Sequence, residues 1–201
     1  MEISAAHMRT FTFICTLLVF KSSFSQQADI KYTFKEVGWT LVLPADFKVV
    51  DSANNAVMTE RAKKIIEEAN DIRADIFQTR ILISATKNTN NCFSSTLETF
   101  DAEKDGDFDI SNQISKDIVY KSFSKRIQGA KIDSVSTYED VAGLSFEKFH
   151  LTVSVKDKIL FNVCILSKYY QGYDFGISYK YSDDQTKEEI ETMLRNSKFI
   201  K

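Results

Sequence analysis

Three rows of apolar residues in the last third of the chain constrain its fold more than any other feature. Phe149, Leu151, Val153 and Val155 alternate with His150, Thr152 and Ser154. Ile159, Phe161, Val163 and Ile165 follow with the same parity, and Tyr173, Phe175, Ile177, Tyr179 and Tyr181 complete the set. A period of two marks a strand that buries one side. Lys156-Asp157-Lys158 and Gln171-Gly172 separate the rows as turns. With three-residue turns all three rows share one face, Val155 facing Ile159 and Ile165 facing Ile177. A slip of one residue would send a row to the wrong side. A terminal helix follows: Ser182 and Gln185 form a capping box, and Ile190, Met193 and Leu194 supply its buried stripe.

Upstream, Ile30–Phe34 and Trp39–Leu43 flank Gly38 as a β-hairpin, and Pro44, the only proline, ends the second strand because it cannot donate to a ladder. The spacing of Val57, Met58, Ala62, Ile65, Ile66 and Ala69 predicts a helix over 52–72. Glu60 with Lys64, Lys63 with Glu67, and Lys64 with Glu68 line its solvated side. Residues 77–86 read as a strand, 88–91 as a turn and 94–100 as a short helix. A longer helix over 110–127 carries Ile110, Ile114, Ile118, Phe123 and Ile127 on one side and stops at Gly129. Strands at both ends with helices between them indicate the α+β class, a mainly antiparallel sheet with flanking helices. No low-complexity linker or repeat interrupts residues 26–201, which read as a single domain.

The first 25 residues have a different character. Arg9 precedes an apolar run from Phe11 to Phe20, and small residues stand at Ser23 and Ser25. This is the layout of a cleaved secretory leader. The run is shorter than the ~20 residues a bilayer span requires. Export to a periplasm or outside the cell is therefore expected, with cleavage after Ser25 and no stable membrane insertion afterwards. Thr12-Phe13-Ile14 lacks the small residues that would make Cys15 a lipidation site. Missing glycosylation sequons and the Ser-Phe-Ser-Gln junction point to a bacterial source.

A net charge of −2 with interspersed signs and no basic patch argues against a nucleic-acid partner. Cys92 and Cys164 remain after the leader. They either bridge or, as preferred here, pack as two independent buried thiols.

Few constellations suggest chemistry. The one histidine after the leader, His150, falls near Cys164 on the neighbouring strand, with Ser178 beyond. A thiol hydrolase is built on such a pair. Against this, His150 shares its side with Lys148 and Thr152, and a mid-sheet thiol flanked by Leu160 and Leu166 reads as packing. Residues 101–112 resemble a calcium loop, with Asp101, Glu103 and Asp105 in the first ligand positions, Gly106 at the turn and Asp109 at the ninth. Asn112, however, stands where a bidentate Glu is needed. The preferred reading is an acidic turn that favours the following helix N-terminus.

One histidine and two distant cysteines make no zinc set, and no glycine-rich phosphate loop or GxSxG elbow is present. No cofactor is expected. Tyr169, Tyr170, Tyr173, Tyr179 and Tyr181 could line a sugar or peptide surface, but read better as cross-strand packing. The expected product is a non-enzymatic binding or accessory protein with a protein or small-molecule partner. Its ligand face is expected to carry Lys148, His150, Thr152, Asn162, Ser178 and Lys180.

The order of elements, with Gly38-Trp39-Thr40-Leu41-Val42-Leu43-Pro44 at the start and Asn196-Ser197-Lys198-Phe199 at the end, resembles the PsbP-like family. That resemblance implies an α/β/α sandwich. Members are largely non-enzymatic accessory or binding proteins, several of them exported, among them a photosystem subunit and a nuclear transport factor. No functional motif of theirs has a match in this chain.

Overall fold

A computed structural model describes residues 30–72 and 79–200; the leader and its cleavage site fall outside them. In chain order the elements are β1 (Ile30–Phe34), β2 (Trp39–Leu43), β3 (Lys48–Val49), α1 (Ser52–Asn70), β4 (Arg80–Asn88), β5 (Asn91–Thr99), α2 (Ala102–Asp105), α3 (Phe108–Arg126), β6 (Lys131–Val141), β7 (Leu144–Val155), β8 (Lys158–Tyr170), β9 (Tyr173–Tyr181), α4 (Asp184–Asn196) and β10 (Lys198–Phe199). The class is α+β. Seven antiparallel strands run in the order β3-β4-β5-β9-β8-β7-β6, and a second sheet has the order β1-β2-β10.

Both faces of the large sheet are covered. On one, α4 and the small sheet enclose Trp39, Phe93, Phe146, Leu166, Phe175, Ile177 and Tyr179. On the other, α1 and α3 close over Phe149, Leu151, Val153, Val163 and Ile165 with Met58, Ile66, Val119 and Phe123. Burial of a sheet on both sides needs apolar residues at both parities, and β8 provides them. Its even residues Cys164 and Leu166 join the first core, and its odd residues Val163 and Ile165 join the second.

The expected register is therefore corrected. Both turns of the meander contain two residues, Lys156-Asp157 (φ 50° and 60°) and Gln171-Gly172 (φ 53° and 82°). Paired positive φ values match the twist of the flanking strands. Val155 consequently faces Lys158, not Ile159, and a bulge after Val153 returns the odd rows to alignment at Val153–Phe161. At the second turn nothing compensates, so Ile165 faces Ser178 while Leu166 faces Ile177. The β9 row lies on the opposite face from the β7 row.

Residues 94–99 belong to β5, an interior strand of the large sheet, and not to a helix, and Phe100 follows the strand. Along α3 the buried side is Ser111, Asn112, Ser115, Lys116, Val119, Ser122 and Phe123, while Ile110 is exposed. Hydroxyls make this polar side tolerable: Ser115 donates to the Ser111 carbonyl at 2.9 Å and Ser122 to that of Ile118 at 2.8 Å. Lys116 and Asn112 both bind the Glu147 carboxylate of β7. Asp183, one residue past the expected Ser182, caps α4 by accepting from the Thr186 N–H at 2.7 Å.

The two segments that carry the family resemblance meet in space. Lys198 and Phe199 pair with Thr40 and Trp39. The Trp39 indole N–H donates to the Ser197 hydroxyl at 3.0 Å and its ring stacks on Phe199 at 6.1 Å. Gly38 (φ +60°) permits that closure, because a Cβ there would lie 2.5 Å from the Ile200 carbonyl oxygen.

Candidate functional site

The six residues expected to form one ligand face are divided between two. Lys148, His150 and Thr152 lie opposite Leu166, Cys164 and Asn162, on the side that carries α4. Ser178 and Lys180 face the other way, beside Ile165 and Val163. The two-residue turn at Gln171-Gly172 is the physical reason, since it inverts the parity of β9 relative to β8.

The first group is a half-buried polar cluster at the flank of α4. The Asn162 carbonyl oxygen lies 3.1 Å from His150 Nε2 and accepts from the Thr152 hydroxyl at 2.9 Å. The Tyr181 ring stacks on the imidazole at 6.4 Å. Partial burial lowers the His150 pKa, opposed by the Asn162 hydrogen bond, so the ring is neutral at pH 7. Lys148 binds Glu139, with Glu191 of α4 at 3.8 Å. Burial alone would lower the Lys148 pKa, but the Glu139 hydrogen bond and the surrounding negative charge raise it.

Cys164 is directly opposite His150. Its thiol is 1% exposed and burial pushes its pKa up to about 11. A thiolate nucleophile needs the reverse shift and an approach for substrate. Cys92 is also a buried thiol, its pKa pushed up to about 12 by burial. It pairs with Lys180, whereas Cys164 pairs with Tyr179, so the two sulfurs lie on opposite faces of the sheet.

In the second group, Ser178 exchanges a 2.7 Å hydroxyl contact with Ser94. Lys180 is buried over the Phe161 ring at 4.9 Å, with Asn90 Oδ1 at 3.4 Å, and burial lowers its pKa. Of the five tyrosines, Tyr179 and Tyr181 are buried, Tyr170 and Tyr173 are packed against the core, and Tyr169 is half exposed.

Residues 101–112 do not wrap as a single loop. Asp101 caps α2 through the Glu103 N–H, and Asp105 turns inward to accept from the Asp101 N–H at 2.8 Å. Asp107 caps α3 with Asp109 in its first turn. Among the described residues no group of three or more His, Cys, Asp or Glu side chains is placed to hold a metal ion.

A further feature left no mark in the sequence. Val42, Leu43 and Pro44 on one side and Glu188, Thr192 and Met193 of α4 on the other bound an open groove of about 550 Å³. Val42 is half exposed at its lip. An apolar floor with a few polar groups at the rim, at this volume, is the usual make-up of a small-ligand site.

No family model matches the chain, and no curated protein matches it significantly. Among solved structures it is similar to cyanobacterial PsbP from Synechocystis, with a TM-score of 0.54 at 10% identity over 90% of this chain and 98% of that one. A second match is LpqN, involved in cell envelope biogenesis of Mycobacterium tuberculosis, with a TM-score of 0.40 at 12% identity over 85% of this chain and 89% of that one. Among the described residues no helix is long and apolar enough to cross a membrane. The fold of this chain is PsbP-like.

Proposed function

We propose that this chain is an exported, non-enzymatic binding or accessory protein, and that its ligand surface is the groove between β2 and α4. The groove itself carries the reading. It offers apolar contact from Val42, Leu43, Pro44 and Met193 and hydrogen bonding from Thr192, which suits a small amphipathic molecule or the apolar side chains of a partner. Export is supported by the leader pattern ahead of residue 26. Contact rather than covalent chemistry is supported by the burial of Cys164, the thiol opposite the histidine.

Retention of co-purifying species on immobilised protein tests the reading, with the original chain compared with Val42→Glu. A species held by the original and lost from the variant is the expected result. Identical retention by both would remove the groove from consideration. Thioester or peptide hydrolysis that disappears in Cys164→Ser would refute the non-enzymatic reading.

A further inference from the structure

The two edges of the seven-stranded sheet are built differently. At one, β3 is a two-residue strand beside β4, a short edge of the kind that discourages further pairing. At the other, β6 runs for eleven residues and pairs only with β7, in unbroken register from Lys131–Ser154 to Val141–Leu144. It contains no proline and no bulge. Its centre, Ser134-Val135-Ser136-Thr137-Tyr138, is uncharged and exposed, with Val135 51% and Tyr138 78% accessible.

The backbone groups that β6 presents outward follow from its turn. Ala142 and Gly143 both have positive φ (51° and 86°) and close a two-residue hairpin between Val141 and Leu144. Val141 and every second residue before it therefore exchange their backbone hydrogen bonds with β7. The intervening residues, Ile132, Ser134, Ser136, Tyr138 and Asp140, direct their N–H and C=O groups away from the sheet. Two side-chain contacts agree: the Ser154 hydroxyl of β7 reaches the Lys131 carbonyl, and the Tyr120 hydroxyl of α3 reaches that of Ile132, both at 3.4 Å.

We propose that β6 is a self-association edge, at which two copies of the chain pair antiparallel about a two-fold axis through Val135. The sequence of the strand is complementary to itself in that register. Val135 faces the partner's Val135, Ile132 faces the partner's Tyr138, and Ser134 faces the partner's Ser136. Lys131 faces the partner's Glu139, which already binds Lys148 of its own copy and would take Lys131 as a second cation, and each of the unlike pairs occurs twice by symmetry. These are the apolar and opposite-charge cross-strand pairs that stabilise a sheet. Moving the axis to Ser136 places Asp133 against the partner's Glu139 and Ile132 against the partner's Asp140. Moving it to Ser134 places Asp133 against the partner's Val135 and takes Glu139 beyond Lys131. Lys131 already contacts Asp133 at 2.8 Å, but that pair is solvent-exposed and yields readily to a better one. The result is one continuous sheet across both copies, with no open β6 edge left to recruit a third.

Sedimentation equilibrium of the chain from low micromolar to submillimolar concentration reads the association directly. A monomer–dimer equilibrium is expected, and Ser136→Pro is expected to abolish it. That variant removes only an outward N–H and leaves the β6–β7 ladder whole. Register is read by cross-linking. Odd residues form non-hydrogen-bonded pairs across the new interface, with Cα atoms close enough for a disulfide. Val135→Cys should thus dimerise covalently under mild oxidation, while Thr137→Cys, which faces the partner's Asp133, should not. This comparison decides the matter even if the proline variant fails to fold. A monomer at every concentration, a dimer that persists in Ser136→Pro, or equal cross-linking of the two cysteine variants would overturn the proposal.

Discussion

The two faces of the large sheet are buried by different means. The face under α4 and the small sheet is aromatic: Trp39 contacts Phe34, Phe175 and Phe199 with ring centroids 5.4–6.1 Å apart, and Phe146 adds to Phe175 at 5.5 Å. The face under α1 and α3 is mainly aliphatic over β7 and β8, with Phe149 and Phe161 among the aliphatic side chains, but polar over β5 and β9, where Ser94, Thr96, Glu98, Asp174, Ser178 and Lys180 are all buried. Close-packed rings specify a unique arrangement through their size and edge geometry. Buried polar groups specify one through partners that must all be present. The first kind of face should break most when volume is removed, the second when charge is changed.

Trp39→Ala is the largest test. It removes a fully buried ring, its contacts with three aromatic neighbours and the hydrogen bond to Ser197. A loss of about 4 kcal/mol is expected by chemical denaturation. A loss below about 1 kcal/mol would mean that the small sheet is not essential to the aromatic face. Ile66→Ala, its counterpart under α1, empties a fully buried site in the aliphatic core. The expected cost is smaller, about 3 kcal/mol. A larger cost than that of Trp39→Ala would invert the comparison.

Charge tests the polar part. Glu98 and Asp174 are direct cross-strand partners, and Asp174 is only 6% exposed. Burial, reinforced by the Glu98 charge, raises the Asp174 pKa from 3.8 to about 8. A carboxyl whose folded pKa exceeds its unfolded value contributes fully to stability below the lower value and loses that contribution as pH rises through the higher. Stability should therefore fall between about pH 4 and pH 8. Asp174→Asn should flatten that slope and raise stability at pH 8. Thermal melts across this range check it; an unchanged slope in the variant would assign the pH dependence elsewhere.

The same contrast explains what could be read in advance. The β7 row and the α4 stripe are amphipathic on a regular period, and both were legible. Part of β5 reads as a helix because its sequence, Asn91-Cys-Phe-Ser-Ser-Thr-Leu-Glu-Thr99, sends small polar groups into a buried layer. There the side-chain chemistry no longer reports burial. β6 gives no alternation because neither of its sides is deeply covered. The meander's register was missed because Lys156, Asp157 and Gln171 adopt positive φ without being glycine. The expected ligand residues share a face only on a parity that the Gln171-Gly172 turn reverses. The groove beside Met193 joins elements nearly 150 positions apart in the chain, and no local pattern announces it.

The smallest expected effect distinguishes composition from cooperativity. Each face holds one buried cysteine, Cys164 on the α4 side and Cys92 on the side of α1 and α3, and burial keeps both thiols protonated at pH 7. Alkylation at neutral pH should leave the native protein unmodified and its stability unchanged, because reaction needs a thiolate and an opening of the fold. With both residues mounted on the same sheet, one cooperative opening should expose them together. Peptide mass mapping after partial labelling in mild urea should then find Cys92 and Cys164 modified at rates that differ only as their intrinsic reactivities do in full denaturant. Labelling of Cys92 well ahead of Cys164 would show the helical layer lifting off first. The polar face would then be the weaker of the two in dynamics as well as in chemistry.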